Sequence, residues 1–382
     1  MSNESKQEYL RSIKERYKNS SKKEKQKILD EFCTTCGYNR KYAIRILNTK
    51  TEKRVRKKRS GRKKKYCSDE IRTFLIKLWK ASNLACSVRL KAMIPMWLPY
   101  YNQELGESTK ALLLSISASS IDRLLRTHRN RYKKLGLATT KPGSLIRKQI
   151  PIKTAQWDES RPGFIEADTV AHCGNSIAGM FVYSLNTVDI ATGWSEARAL
   201  WGKGQKVAFE AIRSIEGVFP FKLLGFDSDN GGEFINWHLY SYFLKRKRPV
   251  SYTRSRAYQK NDNAHIEGKN WTNIRQYFGY MRFENEEIVS LMNDLYENEW
   301  SLLINYFLPS MKLLKKERVG GRVVKKHSPP KTPQQRLIES KRITKSKSNE
   351  LLKISKHLNP FELQKRVEKK IKNILNYATR IN

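Results

Sequence analysis

The chain has 382 residues, with 76 Lys and Arg against 36 Asp and Glu, a formal net charge of +40, and 39% hydrophobic residues. Its length suits two or three domains at about 150 residues each. The charge argues against an ordinary small-molecule enzyme, and five scattered cysteines argue against a secreted disulfide scaffold. No uncharged apolar stretch nears the roughly 20 residues of a membrane-spanning helix, and MSNESKQEYL lacks a signal-peptide core. The expectation is a cytoplasmic protein with reduced thiols, no membrane association and a polyanionic partner.

Residues 1–50 read as a helix-turn-helix unit. Tyr9, Leu10, Ile13 and Tyr17 recur at helical spacing, and Ser20 or Ser21 can cap a second helix bearing Ile28, Leu29 and Phe32. Gly37 makes a turn into a short third helix. That helix puts Ala43, Ile44 and Leu47 inward and leaves Arg40, Lys41 and Arg45 outward for a DNA groove. Residues 51–66, with ten Lys/Arg and one Glu, are too charged to pack and read as a DNA-tracking linker, with Lys57, Lys58, Arg62 and Lys63 as phosphate contacts.

Helical patterning resumes over 67–140, a second helix-turn-helix-like unit. Ile71, Phe74, Leu75, Leu78 and Trp79 mark one face, and a later helix carries Arg123 and Arg126 outward. Breaks are expected at Pro95 and Pro99. From 151 to 310 the character changes. Strands are expected at 163–172, 180–189, 194–200, 222–228 and 249–254, and helices at 205–216, 233–246, 263–278 and 285–307. Three antiparallel strands followed by helix, strand, helix, strand, helix is the order of an RNase H-like α/β core with a mixed five-stranded sheet. Residues 311–382 read as a Gly/Pro/basic connector followed by basic helices.

The charge follows these divisions. Residues 151–308 hold 17 Lys and Arg against 19 Asp and Glu, a net of −2, so the flanks carry +42. Basic arms around a balanced middle fit phosphate binding by the arms and a core that holds cations itself.

Three acids of the core fall where the fold can bring them together. Asp168 lies in the first strand, Asp229 just past the fourth, in DSDNGGEF, and Glu267 in the first turns of a helix, in NDNAHIEGKN. Converging carboxylates repel unless a cation intervenes, and hard oxygen ligands with open positions suit Mg²⁺ or Mn²⁺. Two such ions about 4 Å apart would activate a water or 3′-OH and stabilise the leaving oxygen of a phosphodiester. The rivals read as structural. Glu166 shares the strand face of Asp168, Asp227 precedes Asp229 by two, Asp189 suits a strand turn, Glu233 suits the opening of a helix and Asp262 can cap one.

The stretches GFIEADTVAH, NTVDIATGWSEARAL, LGFDSDNGGEF and YQKNDNAHIEGKNW resemble the catalytic core of retroviral-integrase-type transposases of bacterial insertion sequences. In that family an Asp of the first strand, the Asp of a DNG and a Glu about 35 residues later bind the metals. The matching residues here are Asp168, Asp229 and Glu267, with 37 residues between the last two. The retroviral zinc-binding domain has no counterpart, since Cys33 and Cys36 form one CxxC without a second ligand pair.

The resemblance implies a DDE-type polynucleotidyl transferase with two Mg²⁺ or Mn²⁺ ions. It would bind terminal inverted repeats and join 3′-OH ends to target DNA, as a dimer or higher multimer associated with the nucleoid. Lys260, Asn263, His265, Lys269 and Arg275 lie near Glu267. Lys269 and Arg275 suit phosphate clamps, and Asn263 and His265 suit placing a scissile phosphate or terminal base. Two other readings share these features: a transposase without catalysis acting as a DNA-binding regulator, and an RNase H-fold nuclease.

Overall fold

A computed structural model describes residues 1–49, 65–66, 68–130, 160–255, 264–319 and 322–381, apart from the side chains of 264, 265, 267 and 381. The chain divides into two compact units, Met1–Lys64 and Lys65–Asn382. Lys57, Lys58, Arg62 and Lys63 lie outside the described residues.

The first unit is three helices, α1 (Asn3–Asn19), α2 (Lys22–Cys36) and α3 (Arg40–Asn48). Ser2 caps α1, the reciprocal Ser21–Glu24 pair starts α2, and Gly37, at φ 68°, ends it. Ile13, Tyr17, Ile28, Leu29, Phe32, Cys36, Ala43 and Leu47 form its core. Ile44, expected inside, is exposed, and Ile46 packs against the core instead.

The second unit opens with α4 (Asp69–Ala81), α5 (Ser87–Trp97), α6 (Glu107–Ser115) and α7 (Ala118–Arg129). Pro95 lies inside α5 rather than breaking it, and Pro99 falls in the 3₁₀ turn that follows. Strands β1 (Phe164–Ala171), β2 (Val182–Asp189) and β3 (Ser195–Trp201) come next. They are followed by α8 (Gln205–Val218), β4 (Gly225–Ser228), α9 (Trp237–Leu244) and β5 (Ser251–Arg254).

One long helical stretch runs through α10 (Ala264–Lys269), a π-helical segment over Asn270–Arg275 and α11 (Gln276–Phe278). A second runs through α12 (Glu287–Leu295), a π-helical segment over Tyr296–Trp300 and α13 (Ser301–Phe307). The chain then forms β6 (Leu313–Val319), β7 (Arg322–His327), α14 (Pro333–Glu339), α15 (Lys345–His357) and α16 (Pro360–Ile381).

The sheet order is β3-β2-β1-β4-β5. β1, β2 and β3 pair antiparallel, while β4 and β5 run parallel to β1. This is the mixed five-stranded sheet that the element order predicts. Side chains alternate between its faces. Ile165, Ala167, Leu185 and Phe226 pack with α8 and α9 on one face. Val170, Val182, Ala197 and Ala199 join the cluster of α12 and α13 on the other.

That second cluster extends well beyond the core. It includes Phe74, Leu78, Trp97 and Leu125 of α4, α5 and α7, and Leu337, Leu351, Phe361 and Val367 of α14 to α16. The 67–140 segment, read from sequence as a helical unit of its own, thus shares one hydrophobic interior with the α/β core. Trp97 illustrates the join, with its indole N–H donating to Phe307 O at 3.2 Å and its ring edge-on to Phe361.

The expected connector after residue 310 is instead the two-stranded β6–β7 ribbon, in which every residue of both strands is exposed. Leu313, Leu314 and Val319 on one strand and Val323 and Val324 on the other give both strands enough β-propensity to pair despite the lysines and arginines among them.

Candidate functional site

The site is built on the register of two parallel strands. Glu166 pairs with Asp227 and Ala167 with Ser228. The next step along each strand brings Asp168 beside Asp229, at the point where β4 ends and the chain turns away. Both are half-buried. Burial, and then the charge of Asp229, raises the Asp168 carboxyl above its ordinary range. Burial, and then Glu233, raises Asp229. Neighbouring half-buried carboxylates repel one another unless a cation lies between them. This is the donor chemistry that a hard divalent ion satisfies, so these residues fit the metal that the sequence pattern implies.

The loop after β4 fixes Asp229 through its own backbone. Gly231 N–H donates to Asp229 Oδ1 at 2.9 Å. A Cβ on Gly231 would press against Glu233 Oε2 and lie 2.9 Å from Asp229 Oδ1, so a larger residue there would displace one of these carboxylates. Asn230 Nδ2 donates to Ser255 O at 3.0 Å, and Arg254 Nη1 donates to Asn230 Oδ1 at 2.9 Å, holding the loop to the end of β5.

Glu233 does not open a helix as expected, because α9 begins at Trp237 with Asn236 as its cap. Glu233 is buried instead, paired with Lys203 Nζ at 2.8 Å and accepting from Thr169 Oγ1 at 2.9 Å. No sequence pattern signals this pair, because Lys203 lies 30 positions away, in the β3–α8 turn.

Asp168 is held from two sides. Thr169 N–H donates to Oδ1 at 2.7 Å, and Asn270 Nδ2 donates to Oδ2 at 2.7 Å. Asn270 in turn accepts from Asn186 Nδ2 of β2 at 2.8 Å. The helix bearing Glu267 is therefore fastened to the strand bearing Asp168. A second tie comes from Glu166, whose Oε2 accepts the Ile266 N–H at 3.1 Å. Glu267 itself lies on α10, three positions before Asn270 in the chain. The switch to π-helix begins at Asn270, a local geometry common at functional sites.

The rival acids have structural partners. Asp227 is fully buried and accepts from Thr253 Oγ1 of β5. Asp189 closes the β2–β3 turn, accepting from Gly163 N at 2.7 Å and from Thr192 N and Oγ1 at 2.8 and 2.6 Å. Lys260, Asn263 and Asp262, and the side chains of His265 and Glu267, lie outside the described residues. Among the described residues no group of three or more His, Cys, Asp or Glu is arranged to hold a metal ion.

Two residues expected to clamp phosphates are placed otherwise. Arg275 donates to Ala171 O at 2.8 Å and Gly279 O at 3.2 Å and stacks over Tyr280, which ties its helix to β1. Lys269 faces the β2–β3 turn, where its Nζ would lie 4.0 Å from a Cβ on Gly193. Burial, and then Arg89 and Arg336, pushes its amine down to about 7.

In the flanking helices, Lys41, Arg123 and Arg126 are exposed. Arg45 lies over the Tyr42 ring, and Arg40 is paired with Asp30. No helix among the described residues is long and apolar enough to cross a membrane.

No protein-family model matches the chain. Among solved structures it is similar to the catalytic core domain of BIV integrase, covering 47% of this chain and 95% of that one at 14% identity and a TM-score of 0.28. The fold is defined by the order of its own sheet, independently of that likeness. The uncharacterized protein y4rM of Sinorhizobium fredii is 36% identical over 337 residues, which is 85% of this chain and 93% of y4rM. An identity of that level across nearly the whole of both chains makes this protein a member of the y4rM family.

Proposed function

We propose that the chain is a DDE-type polynucleotidyl transferase, the transposase of an insertion sequence. The observation that carries this reading is the register of the parallel strands β1 and β4, which brings Asp168 within β1 beside Asp229 just past the end of β4, with the helix of Glu267 fastened to Asp168 through Asn270. Asp168, Asp229 and Glu267 would hold two Mg²⁺ or Mn²⁺ ions. Bound there, such ions supply an activated water or 3′-OH and charge stabilisation at the leaving oxygen.

The chain's own residues do the rest. Asn270 and the Thr169 N–H fix both oxygens of Asp168, and the Gly231 N–H fixes one oxygen of Asp229. The carboxylates are thereby pre-oriented, which lowers the reorganisation needed when charge develops. Lys203 neutralises the buried Glu233 and tempers the negative field at both aspartates.

Terminal-repeat recognition falls to the exposed basic residues of the flanks, among them Lys41, Arg45, Arg123 and Arg126, with the 51–66 run supplying phosphate contacts. Two element ends must meet for transposition, so a dimer or higher multimer is part of the reading.

Nicking of supercoiled DNA by the full chain tests it. Cleavage should require Mg²⁺ or Mn²⁺ and disappear in Asp168→Asn. DNA binding without any metal-dependent cleavage would favour the regulator reading, and cleavage without end joining would favour a nuclease.

A further inference from the structure

The β6–β7 ribbon has little of its own to hold it together. All of its strand residues are exposed, so neither face is packed against another element among the described residues. Two-stranded ribbons of this kind are marginal on their own. The register also sets like charges directly opposite one another, with Lys315 across from Lys326 and Lys316 across from Lys325. Successive residues point to opposite faces, so each face carries one of these pairs. Such cross-strand repulsion destabilises a ladder. Arg318 and Arg322 extend the charge along the strands, and the only acid on either strand is Glu317, which pairs with Lys315.

The root of the ribbon is firmly held. Ser310 and Lys331 form a backbone bridge, and Lys312 N–H donates to Ser328 Oγ at 3.0 Å. Arg336 donates to Ser310 Oγ at 2.9 Å and to Thr192 O at 3.0 Å, and Lys312 Nζ donates to Ala191 O at 3.1 Å. The ribbon thus springs from the β2–β3 turn that Lys269 faces. Lys269 directly precedes Asn270, which bonds Asp168. The ribbon and the helix that carries Asn270 are thus both tied to the β2–β3 turn.

We propose that the β6–β7 ribbon is a duplex-DNA-binding element that seats in a groove of the DNA leaving the catalytic carboxylates. A major groove about 12 Å wide admits a two-stranded ribbon, and rows of phosphates on its two walls would pair with the lysines of both faces. A polyanion is the one partner that turns the Lys315–Lys326 and Lys316–Lys325 oppositions from a cost into a fit. On the face turned to the bases, one of the exposed valines, Val323 or Val324, can rest on a base-edge methyl group. The inference rests on the transposase reading only in taking DNA as the substrate.

Hydrogen exchange of the full chain, with and without a duplex oligonucleotide, gives a local readout. The amides of 313–319 and 322–327 should slow on adding duplex. In parallel, the combined variant Lys316→Ser, Arg318→Ser, Arg322→Ser and Lys325→Ser should flatten the salt dependence of duplex binding by about 0.9 in slope for each phosphate that is no longer neutralised. Duplex binding with unchanged ribbon exchange, or with an unchanged slope in the variant, overturns the proposal. So does ribbon protection that ignores DNA but vanishes, together with self-association in sedimentation, in Val323→Ser with Val324→Ser, since the ribbon is then an interface between copies. A wild-type chain that binds no duplex at all sinks the transposase reading itself.

Discussion

Asn270 donates its side-chain amide to Asp168 Oδ2 at 2.7 Å while accepting from Asn186 on β2. A residue one turn beyond Glu267 thereby fixes the carboxylate on the first strand. Hydrogen bonds to charged groups are worth about 1.5–3 kcal/mol. Asn270→Ala should therefore weaken divalent-ion binding by about tenfold or more, seen as a smaller rise in melting temperature on adding Mn²⁺. An unchanged Mn²⁺ response would separate the helix from the metal site.

Asp229 and Asp227, two positions apart, should behave oppositely. Asp168→Asn and Asp229→Asn remove charge from the half-buried pair and should each abolish metal-dependent DNA cleavage while duplex binding persists. Asp227 serves Thr253 within the sheet, and Asn can still accept that bond, so Asp227→Asn should keep measurable activity. An inactive Asp227→Asn beside an active Asp229→Asn would move the site by two residues.

Gly231→Ala tests the loop. Its new methyl group would press on the Glu233 carboxylate, which is held by Lys203 and Thr169 and cannot swing freely away. Overpacking of this kind costs about 1–3 kcal/mol. The variant should melt lower than wild type and lose the Mn²⁺-induced rise. Wild-type melting and metal response in the variant would mean that the loop yields without disturbing Asp229.

Much of the α/β core can be read directly from its residues. The alternation and order of apolar segments between 163 and 307 mark its strands and helices, because each element buries one face. Asp168 and Asp229 each lie two residues beyond another acid, Glu166 and Asp227, and the β1–β4 register carries them side by side where β4 ends. Features that depend on distant partners leave no such pattern. Lys269 and Arg275 read as phosphate clamps from their nearness to Glu267 in the chain, yet the β2–β3 turn and Ala171 O that they face lie far off in sequence. Glu233 reads as a helix-opening acid until Lys203 is placed beside it. The β6–β7 ribbon is hidden because its lysines and neighbouring glycines look like a linker, and because no core face imposes an alternation on it.

Glu196 gives the fold a pH dependence. It is buried, accepts from Trp194 Nε1 at 2.9 Å and Ser301 Oγ at 2.7 Å, and burial raises it from 4.5 to about 7. Between those values the folded chain holds a proton that the unfolded chain releases. The protonated form's contribution is fully present below this window, and stability falls as pH rises through it. Glu196→Gln should flatten the decline in unfolding free energy between about pH 5 and 7, by at most about 1.4 kcal/mol per pH unit. Chemical denaturation at a series of pH values measures this, and parallel curves for the two proteins would exclude Glu196 as the source.

Whether Asp168, Asp229 and Glu267 act as one metal-dependent centre for phosphodiester transfer is decided by strand transfer with the full chain. The substrates are duplexes that end in a free 3′-OH at the element's own termini and a plasmid target, with Mg²⁺ or Mn²⁺. Covalent joining should need the divalent ion and be lost in each of Asp168→Asn, Asp229→Asn and Glu267→Gln, while the same variants still bind the end duplex. Joining that survives any one of these three substitutions, or that proceeds undiminished in excess chelator, would contradict a shared metal centre.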